Sequence, residues 1–177
     1  TFRTLQEGGE KEISIDQYMR LNKVAVLSKN VDLIDVEVFL GDEVVKDLID
    51  CAHEAGVKVI VSNHDFHKTP GKEEIMSRLC KMKELGADIP KIAVMPNCQG
   101  DVLELLAATN AIKQKELGCP VITMSMSGMG AISRLVGETF GSALTFGAVG
   151  KISAPGQIAV EDLRRTLDIL HNSTGLE

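Results

Sequence analysis

A single lysine stands at the head of a short apolar stretch that runs from Pro90 to Pro96. The four residues after Lys91 are all apolar, which predicts a buried strand between two prolines. Burial disfavours the charged form of an amine, so the pKa of a buried lysine falls and a neutral amine becomes available. A neutral amine is a nucleophile toward carbonyl carbons. A solvated lysine at the mouth of a strand is the alternative, and this stretch alone leaves it open.

Other residues able to do acid–base or binding chemistry follow the ends of predicted strands. His64 is a candidate general base near neutral pH, and Glu7 on a neighbouring loop could orient it and stabilise its charged form. Arg134 lies at a helix start after a glycine loop, where a guanidinium and a helix N-terminus together suit a carboxylate. For Arg134, exposure on the surface is the alternative.

The spacing of His64 and His67 raises the question of a metal site. Such a site would need both imidazoles on one face and a third ligand, so one functional or structural histidine and one surface histidine are expected instead. The four cysteines lie far apart without a Cys-x-x-Cys pair, which argues against structural zinc. The chain contains neither of the two glycine-rich phosphate-binding patterns, Gly-x-Gly-x-x-Gly and Gly-x-x-x-x-Gly-Lys-Ser/Thr. These patterns give little support to structural zinc or to nucleotide binding.

Composition narrows the class of protein. With 177 residues, of which 44% are hydrophobic and 25% charged, the chain is expected to form one globular domain with a substantial core. A net charge of −6 and an aromatic content of 3% argue against binding to nucleic acid or to an anionic membrane. Separated cysteines and the lack of a signal peptide or long apolar run favour a reducing, cytoplasmic location.

The elements that must position these residues alternate strictly between strand and helix. We predict strands over 31–38, 57–62, 90–96, 121–126 and 144–148, with a strand end at 1–3 and a helix after each strand. This alternation is typical of a parallel sheet with helical crossovers. Both an open doubly wound sheet and a (β/α)8 barrel fit, and six strands slightly favour the open sheet because a barrel needs eight.

The predicted helix starts rest on capping patterns, and one strand has two unlike faces. Ser14 and Gln17 have capping-box spacing, Thr69 with Pro70 suits an N-cap followed by the first helical residue, and Asp101 suits a further N-cap. In the strand 31–38, the acidic side chains alternate with apolar ones. The acidic face would be exposed to solvent in an open sheet and would form a polar lumen in a closed barrel.

Six motifs, in order along the whole chain, resemble those of the type I 3-dehydroquinate dehydratases. They are Ser62–His67, Lys91–Pro96, Ile122–Met126, Ile132–Leu135, Phe146–Gly147 and Ser153–Gln157. The resemblance implies an α/β fold of the (β/α)8 TIM barrel type, of which this chain carries about strands 3–8, in place of the open sheet. It also implies a cofactor-free lyase of the shikimate pathway, forming a homodimer, that converts 3-dehydroquinate to 3-dehydroshikimate by syn elimination of water.

The same resemblance implies a role for each matching residue. Lys91 forms a Schiff base with the substrate ketone, His64 is the general acid and base, and Glu7 pairs with His64. Binding of the substrate is implied for seven further residues: Arg3, Arg134, Ser153, Gln157, Met124, Met126 and Phe146. Arg134 is expected to bind the substrate carboxylate, and the loop with Ser153 and Gln157 to close over the site.

Two expectations concern the extent of the chain and the path of the lysine. The family pattern has two further strand–helix units before Thr1, so residues 1–177 are expected to form a single domain, the C-terminal part of a barrel, with that N-terminal segment as a possible partner. A catalytically incompetent fragment that needs the segment, and another class I Schiff-base enzyme such as an aldolase, are the alternatives. Because Lys91 begins its strand, its stem is expected to run along the lumen past the small Ala93.

Overall fold

Four parallel strands and six α-helices make up the part of the chain, residues 2–150 and 156–175, that the computed structural model describes. The strands form one sheet in the order β1-β2-β3-β4. Their bounds are β1 (Leu33–Glu37), β2 (Lys58–Asp65), β3 (Ile89–Val94) and β4 (Ile122–Ser125). The helices are α1 (Ile15–Leu27), α2 (Asp42–Glu54), α3 (Lys72–Glu84), α4 (Gln99–Gln114), α5 (Ala131–Phe140) and α6 (Val160–Thr174). None of the described helices is long and apolar enough to cross a membrane.

The helix starts confirm one capping prediction and correct two. The capping box of α1 is present, because Gln17 N donates to Ser14 Oγ and Ser14 N donates to the Gln17 side chain. Thr69 does not cap α3: its hydroxyl donates to the Met95 carbonyl, and α3 begins at Lys72 after Gly71. Asp101 likewise is not the N-cap of α4. It lies inside the first turn of that helix, where its carboxylate accepts the backbone N–H of Asn97.

The two faces of the sheet have different environments. The outer face carries Val36, Val59, Val61, Ile92 and Val94, which pack with buried side chains of α1 to α4 in one large apolar core. The inner face has a smaller apolar cluster, formed by Ile60, Ala93, Ile122, Met124 and Met126, and it also carries the buried polar side chains Asp35, Glu37, Ser62, His64 and Lys91. An open doubly wound sheet would have helices on both faces. The expectation of a barrel, with a polar lumen, is confirmed.

Two segments predicted as strands are not strands in the described residues. After Phe2 and Arg3, the backbone N–H of Thr4 donates to the Glu37 carboxylate, and Thr4 forms only an isolated bridge. Residues 144–148 also lack a strand, since Ala148 exchanges backbone hydrogen bonds with the turn before α6 rather than with β4. In both places the backbone groups find partners outside the sheet, which local sequence patterns do not reveal.

Tyr18, on α1, forms hydrogen bonds with the backbone of the edge strand β1. Its hydroxyl donates to the Asp35 carbonyl at 3.3 Å and accepts the Glu37 N–H at 3.2 Å, so a side chain occupies the backbone groups that a further strand would otherwise use. Tyr18 is fully buried, and this burial raises the pKa of its hydroxyl. The contact fixes the backbone of β1 at the two positions whose carboxylates point into the lumen.

Candidate active site

The imidazole of His64 is fixed by one carboxylate. Strand β2 runs three residues past its predicted end at Ser62 and so carries His64 into the lumen. Glu7 Oε2 accepts both the backbone N–H of His64 at 2.9 Å and its ring Nδ1 at 2.8 Å. We assign the ring proton to Nδ1 from this network. Nε2 is then the atom left to accept a proton from a bound molecule, which is the arrangement of a general base.

Glu7 itself is held by a tight turn. It ends a short 3-10 helix, Leu5–Glu7, that is closed by Gly8 in a left-handed conformation with φ of +81°. A Cβ at Gly8 would overlap the ring of Phe66, so the turn packs closely against the segment that follows His64. The backbone angle therefore favours glycine here, and a larger residue would also have to displace the Phe66 ring.

A second carboxylate anchors the front of that turn. Glu37 accepts the backbone N–H and the hydroxyl of Thr4, both at 2.7 Å. Burial raises the pKa of Glu37, although the two hydrogen bonds from Thr4 oppose this rise. The segment that carries Arg3 and Glu7 is thus tied to β1 through a side chain rather than through a strand ladder. Arg3 is half-buried directly before this anchor.

A polar chain behind the imidazole leads out to α3. The Asn63 amide donates to Glu7 Oε1 at 3.3 Å, and its carbonyl accepts from the Arg78 guanidinium at 2.7 Å. Arg78 also forms an ion pair with Glu74. Sequence reasoning missed Asn63 and Arg78, because Asn63 lies on the outer parity of β2 and no spacing rule connects it to a helix fifteen residues on.

Lys91 is buried in the lumen, at 7% exposure, so the solvated alternative is wrong. Its Nζ donates to Asp35 Oδ2 at 2.8 Å and lies 5.4 Å from the centroid of the Phe146 ring. The amine therefore reaches across β2 toward β1, and the expectation that its stem runs past Ala93 is wrong. A buried carboxylate draws the ammonium sideways, since a buried charge needs a partner. Ser62 Oγ donates to the other oxygen of Asp35 at 2.5 Å.

Register places the lysine and the histidine on one face of adjacent strands. His64 pairs with Ala93, and Lys91 pairs with Ser62, two residues earlier on each strand. Two steps along a strand and one step between strands separate their Cα atoms by about 8 Å. Side chains that share a face at this separation can approach neighbouring atoms of one small molecule.

Arg134 is buried at 2% exposure, so the surface alternative is wrong. It is the fourth residue of α5, and its guanidinium donates to the Met124 sulfur at 3.6 Å. Burial lowers the pKa of Arg134. Met124 and Met126 lie in the inner apolar cluster, which Phe146 contacts. The structure thus brings the cation, both methionines and the aromatic ring to the lumen side of β4.

Three remaining predictions have different outcomes. Gln157 is half-buried just before α6, whereas Ser153 lies outside the described residues. His67 is exposed beyond the end of β2. Within residues 2–150 and 156–175, no group of three histidine, cysteine, aspartate or glutamate side chains could hold a metal ion.

This arrangement has close counterparts among known proteins. Residues 1–174 match the sequence profile of the family described as Type I 3-dehydroquinase. The chain belongs to the type I 3-dehydroquinase family. It is 61% identical over 173 residues to the 3-dehydroquinate dehydratase of Clostridioides difficile, which covers 98% of this chain and 68% of the relative. The same enzyme of Clostridium botulinum is 60% identical over 173 residues, again with 98% and 68% covered.

Solved structures of type I 3-dehydroquinase relatives also share the fold. The enzyme from Clostridium difficile, crystallised with covalent modified comenic acid, superposes with a TM-score of 0.94 at 61% identity, covering 97% of this chain and 68% of that one. The enzyme from Geobacillus kaustophilus gives a TM-score of 0.92 at 41% identity, covering 96% and 66%. The chain is thus a lyase of the shikimate pathway that dehydrates 3-dehydroquinate, and the assignment from the six motifs is confirmed.

Proposed function

We propose that this dehydration proceeds through a Schiff base on Lys91, with His64 as general acid and base and Glu7 as the partner of His64. The observation that carries the proposal is the pairing of each buried nitrogen with its own carboxylate on one lumen face. Lys91 Nζ lies 2.8 Å from Asp35, and His64 Nδ1 lies 2.8 Å from Glu7. The covalent ligand of the Clostridium difficile relative supports covalent chemistry in this family.

The first step forms the imine. The neutral amine of Lys91 attacks the ketone carbon, and the carbonyl oxygen leaves as water after it takes up two protons, one from the amine nitrogen and one from solvent water. A carbon–nitrogen double bond replaces the carbon–oxygen double bond, and the nitrogen carries one positive charge. This iminium withdraws electrons from the neighbouring carbon, so a base of ordinary strength can remove a proton there.

The second step is the elimination. His64 Nε2 takes the proton beside the iminium carbon, and the electron pair of that bond forms an enamine. The enamine then expels the β-hydroxyl, which leaves as water with the proton from His64. Because one imidazole serves both transfers, the proton and the hydroxyl depart from the same face, as a syn elimination requires. Water finally hydrolyses the conjugated iminium, which releases 3-dehydroshikimate and returns the lysine amine.

The remaining lumen residues are assigned to substrate binding. Arg134 binds the substrate carboxylate, since it is a buried cation at a helix start. Arg3 and Gln157 hold hydroxyls or the carboxylate, and the family resemblance assigns the same role to Ser153. Met124, Met126 and Phe146 form the apolar part of the wall of the substrate pocket.

Borohydride trapping tests the proposal. Incubation with 3-dehydroquinate and borohydride should reduce the iminium and leave an adduct on Lys91 that mass spectrometry locates. Lys91→Ala should abolish both the adduct and the rise in enone absorbance of 3-dehydroshikimate. Lys91→Ala with normal turnover would exclude the mechanism. His64→Ala should retain the adduct and lose turnover by at least about 100-fold, the usual contribution of a general base.

A homodimer is also proposed, on the expectation from the family alone. Light scattering of the purified protein gives its mass directly. A mass of twice 19.1 kDa for this chain would support the dimer, and a mass of one chain would exclude it.

A further inference from the structure

We infer that Asp35 is the dedicated counter-charge of the Lys91 nitrogen, holding it as an ammonium before reaction and as an iminium afterwards. This inference rests on the proposed Schiff base. Asp35 is 5% exposed, and its Oδ2 lies 2.8 Å from Nζ. No other carboxylate in residues 2–150 and 156–175 forms an ion pair with this nitrogen. Asp35 therefore contacts the reacting atom itself.

The orientation of Asp35 is fixed from two sides. Tyr18 holds its backbone carbonyl from α1, and Ser62 donates to Oδ1 at 2.5 Å from β2. Only Oδ2 is left to face the lysine. A carboxylate locked in this way needs no rearrangement as charge appears on its neighbour, which is the condition for effective electrostatic stabilisation.

The charge on the lysine nitrogen determines what Asp35 does during the reaction. Nζ is positive as a resting ammonium, gives one proton to solvent water so that the neutral amine can attack the ketone, and is positive again as the iminium. Asp35 forms no covalent bond and receives no proton in this cycle. Its negative charge favours the iminium over the neutral imine, and the neutral imine is the weaker electron sink.

Two carboxylates thus divide the work in the lumen. Glu7 supports the imidazole and Asp35 supports the amine, and neither bonds to the other's partner. A merely structural role for Asp35 would need only its shape and hydrogen bonds. A role as counter-charge needs its ionised oxygen beside Nζ, and the two roles can be separated by experiment.

The test compares charge with shape. Asp35→Asn retains the size of the side chain and removes the charge, so kcat and the borohydride-trapped fraction of Lys91 should both fall, with kcat lower by about 100-fold. Asp35→Ala should be equally slow, and added formate should restore part of its activity. Formamide, which is neutral and of similar size, should not restore the activity of Asp35→Ala. Asp88→Asn is the matched control, because Asp88 forms its ion pair with Lys58 rather than with a residue of the lumen. This variant should retain kcat.

Each outcome decides between the two roles. Normal kcat in Asp35→Asn, or equal rescue by formate and formamide, would overturn the role of Asp35. A folded Ser62→Ala retains the charge and should lose less than about tenfold in kcat, the effect of one hydrogen bond. A loss in Ser62→Ala as large as that of Asp35→Asn would also contradict it. A wild-type protein that yields no adduct on Lys91 would instead overturn the proposed Schiff base.

Discussion

Replacing Glu7 by glutamine should remove charge from the proposed catalytic pair, Glu7 and His64, without changing the geometry of that pair. In the structure, Glu7 Oε2 accepts two N–H groups of His64, one of which belongs to the backbone. A backbone donor cannot change its role, so the glutamine must place its oxygen there and its amide nitrogen toward Asn63. The ring proton of His64 then stays on Nδ1, and Nε2 still faces the lumen.

The expected loss follows from the charge that His64 acquires when it takes the proton. A carboxylate within 4–6 Å favours the charged form of a neighbouring group by about 1–3 pKa units, each worth about 1.4 kcal/mol. Glu7→Gln should therefore lower kcat by about 10- to 1000-fold. Its amide nitrogen would face the donor of Asn63, which should lower the free energy of unfolding by about 1 kcal/mol.

Turnover is followed by the absorbance of the conjugated enone, and stability by urea unfolding. Glu7→Ala is the comparison, because it leaves the donors of His64 and Asn63 without an acceptor. Each orphaned buried donor costs about 1–3 kcal/mol, so Glu7→Ala should be clearly less stable than Glu7→Gln. If Glu7→Gln turns over within threefold of the wild type, the charge of Glu7 contributes little and the reasoning is refuted.

Two further predictions concern the supports of the site, and a third concerns the ion pairs of Asp88 outside the lumen. The Gly8→Ala variant should lose at least about 1–3 kcal/mol in its free energy of unfolding and most of its activity, because the φ of Gly8 is +81° and the added Cβ would meet Phe66. Gly56→Ala is the control, because Gly56 also has a positive φ but has open space around it. It should lose less stability than Gly8→Ala and retain kcat. Arg78→Met should lower kcat by about three- to tenfold, the effect of one hydrogen bond behind the imidazole, and an unchanged kcat would contradict that polar chain. Partial burial raises the pKa of Asp88, but its hydrogen bonds outweigh this and lower it to about 2, so Asp88→Asn should cost about 1–2 kcal/mol in urea at pH 7. That difference should shrink as pH falls from 4 toward 2, because a lowered pKa gives stability that is lost on protonation; a difference at pH 2 as large as that at pH 7 would contradict the assignment.

Local pattern predicted most of the elements and a buried strand at Lys91, but it left the burial of the lysine itself open and could not predict the partner of that lysine. Asp35 and Lys91 lie 56 residues apart and on strands separated by β2, so only the register of three strands brings them together. Their shared face followed from alternation along each strand. Whether the Lys91 amine would pair with Asp35 or with another lumen carboxylate depended on the direction of its side chain, which alternation does not predict.

Strand and helix limits failed where side chains replaced backbone partners. The first predicted strand ends as a bridge at Thr4 because Glu37 takes its N–H. Strand β2 extends to Asp65 because polar residues after Ser62 still pair with β3, although their polarity suggested a loop. Hydrophobic periodicity carries no information about either effect.

The unlike faces of the sheet have a consequence for how this sequence can change. Along β2, Val59 and Val61 face the helical core, while Ile60, Ser62 and His64 face the lumen. A saturation library of this strand should therefore show tolerance that alternates with a period of two residues. One set of positions would be filtered by folding and the other by turnover, so new chemistry could be selected in the lumen while the fold is held by residues one step away.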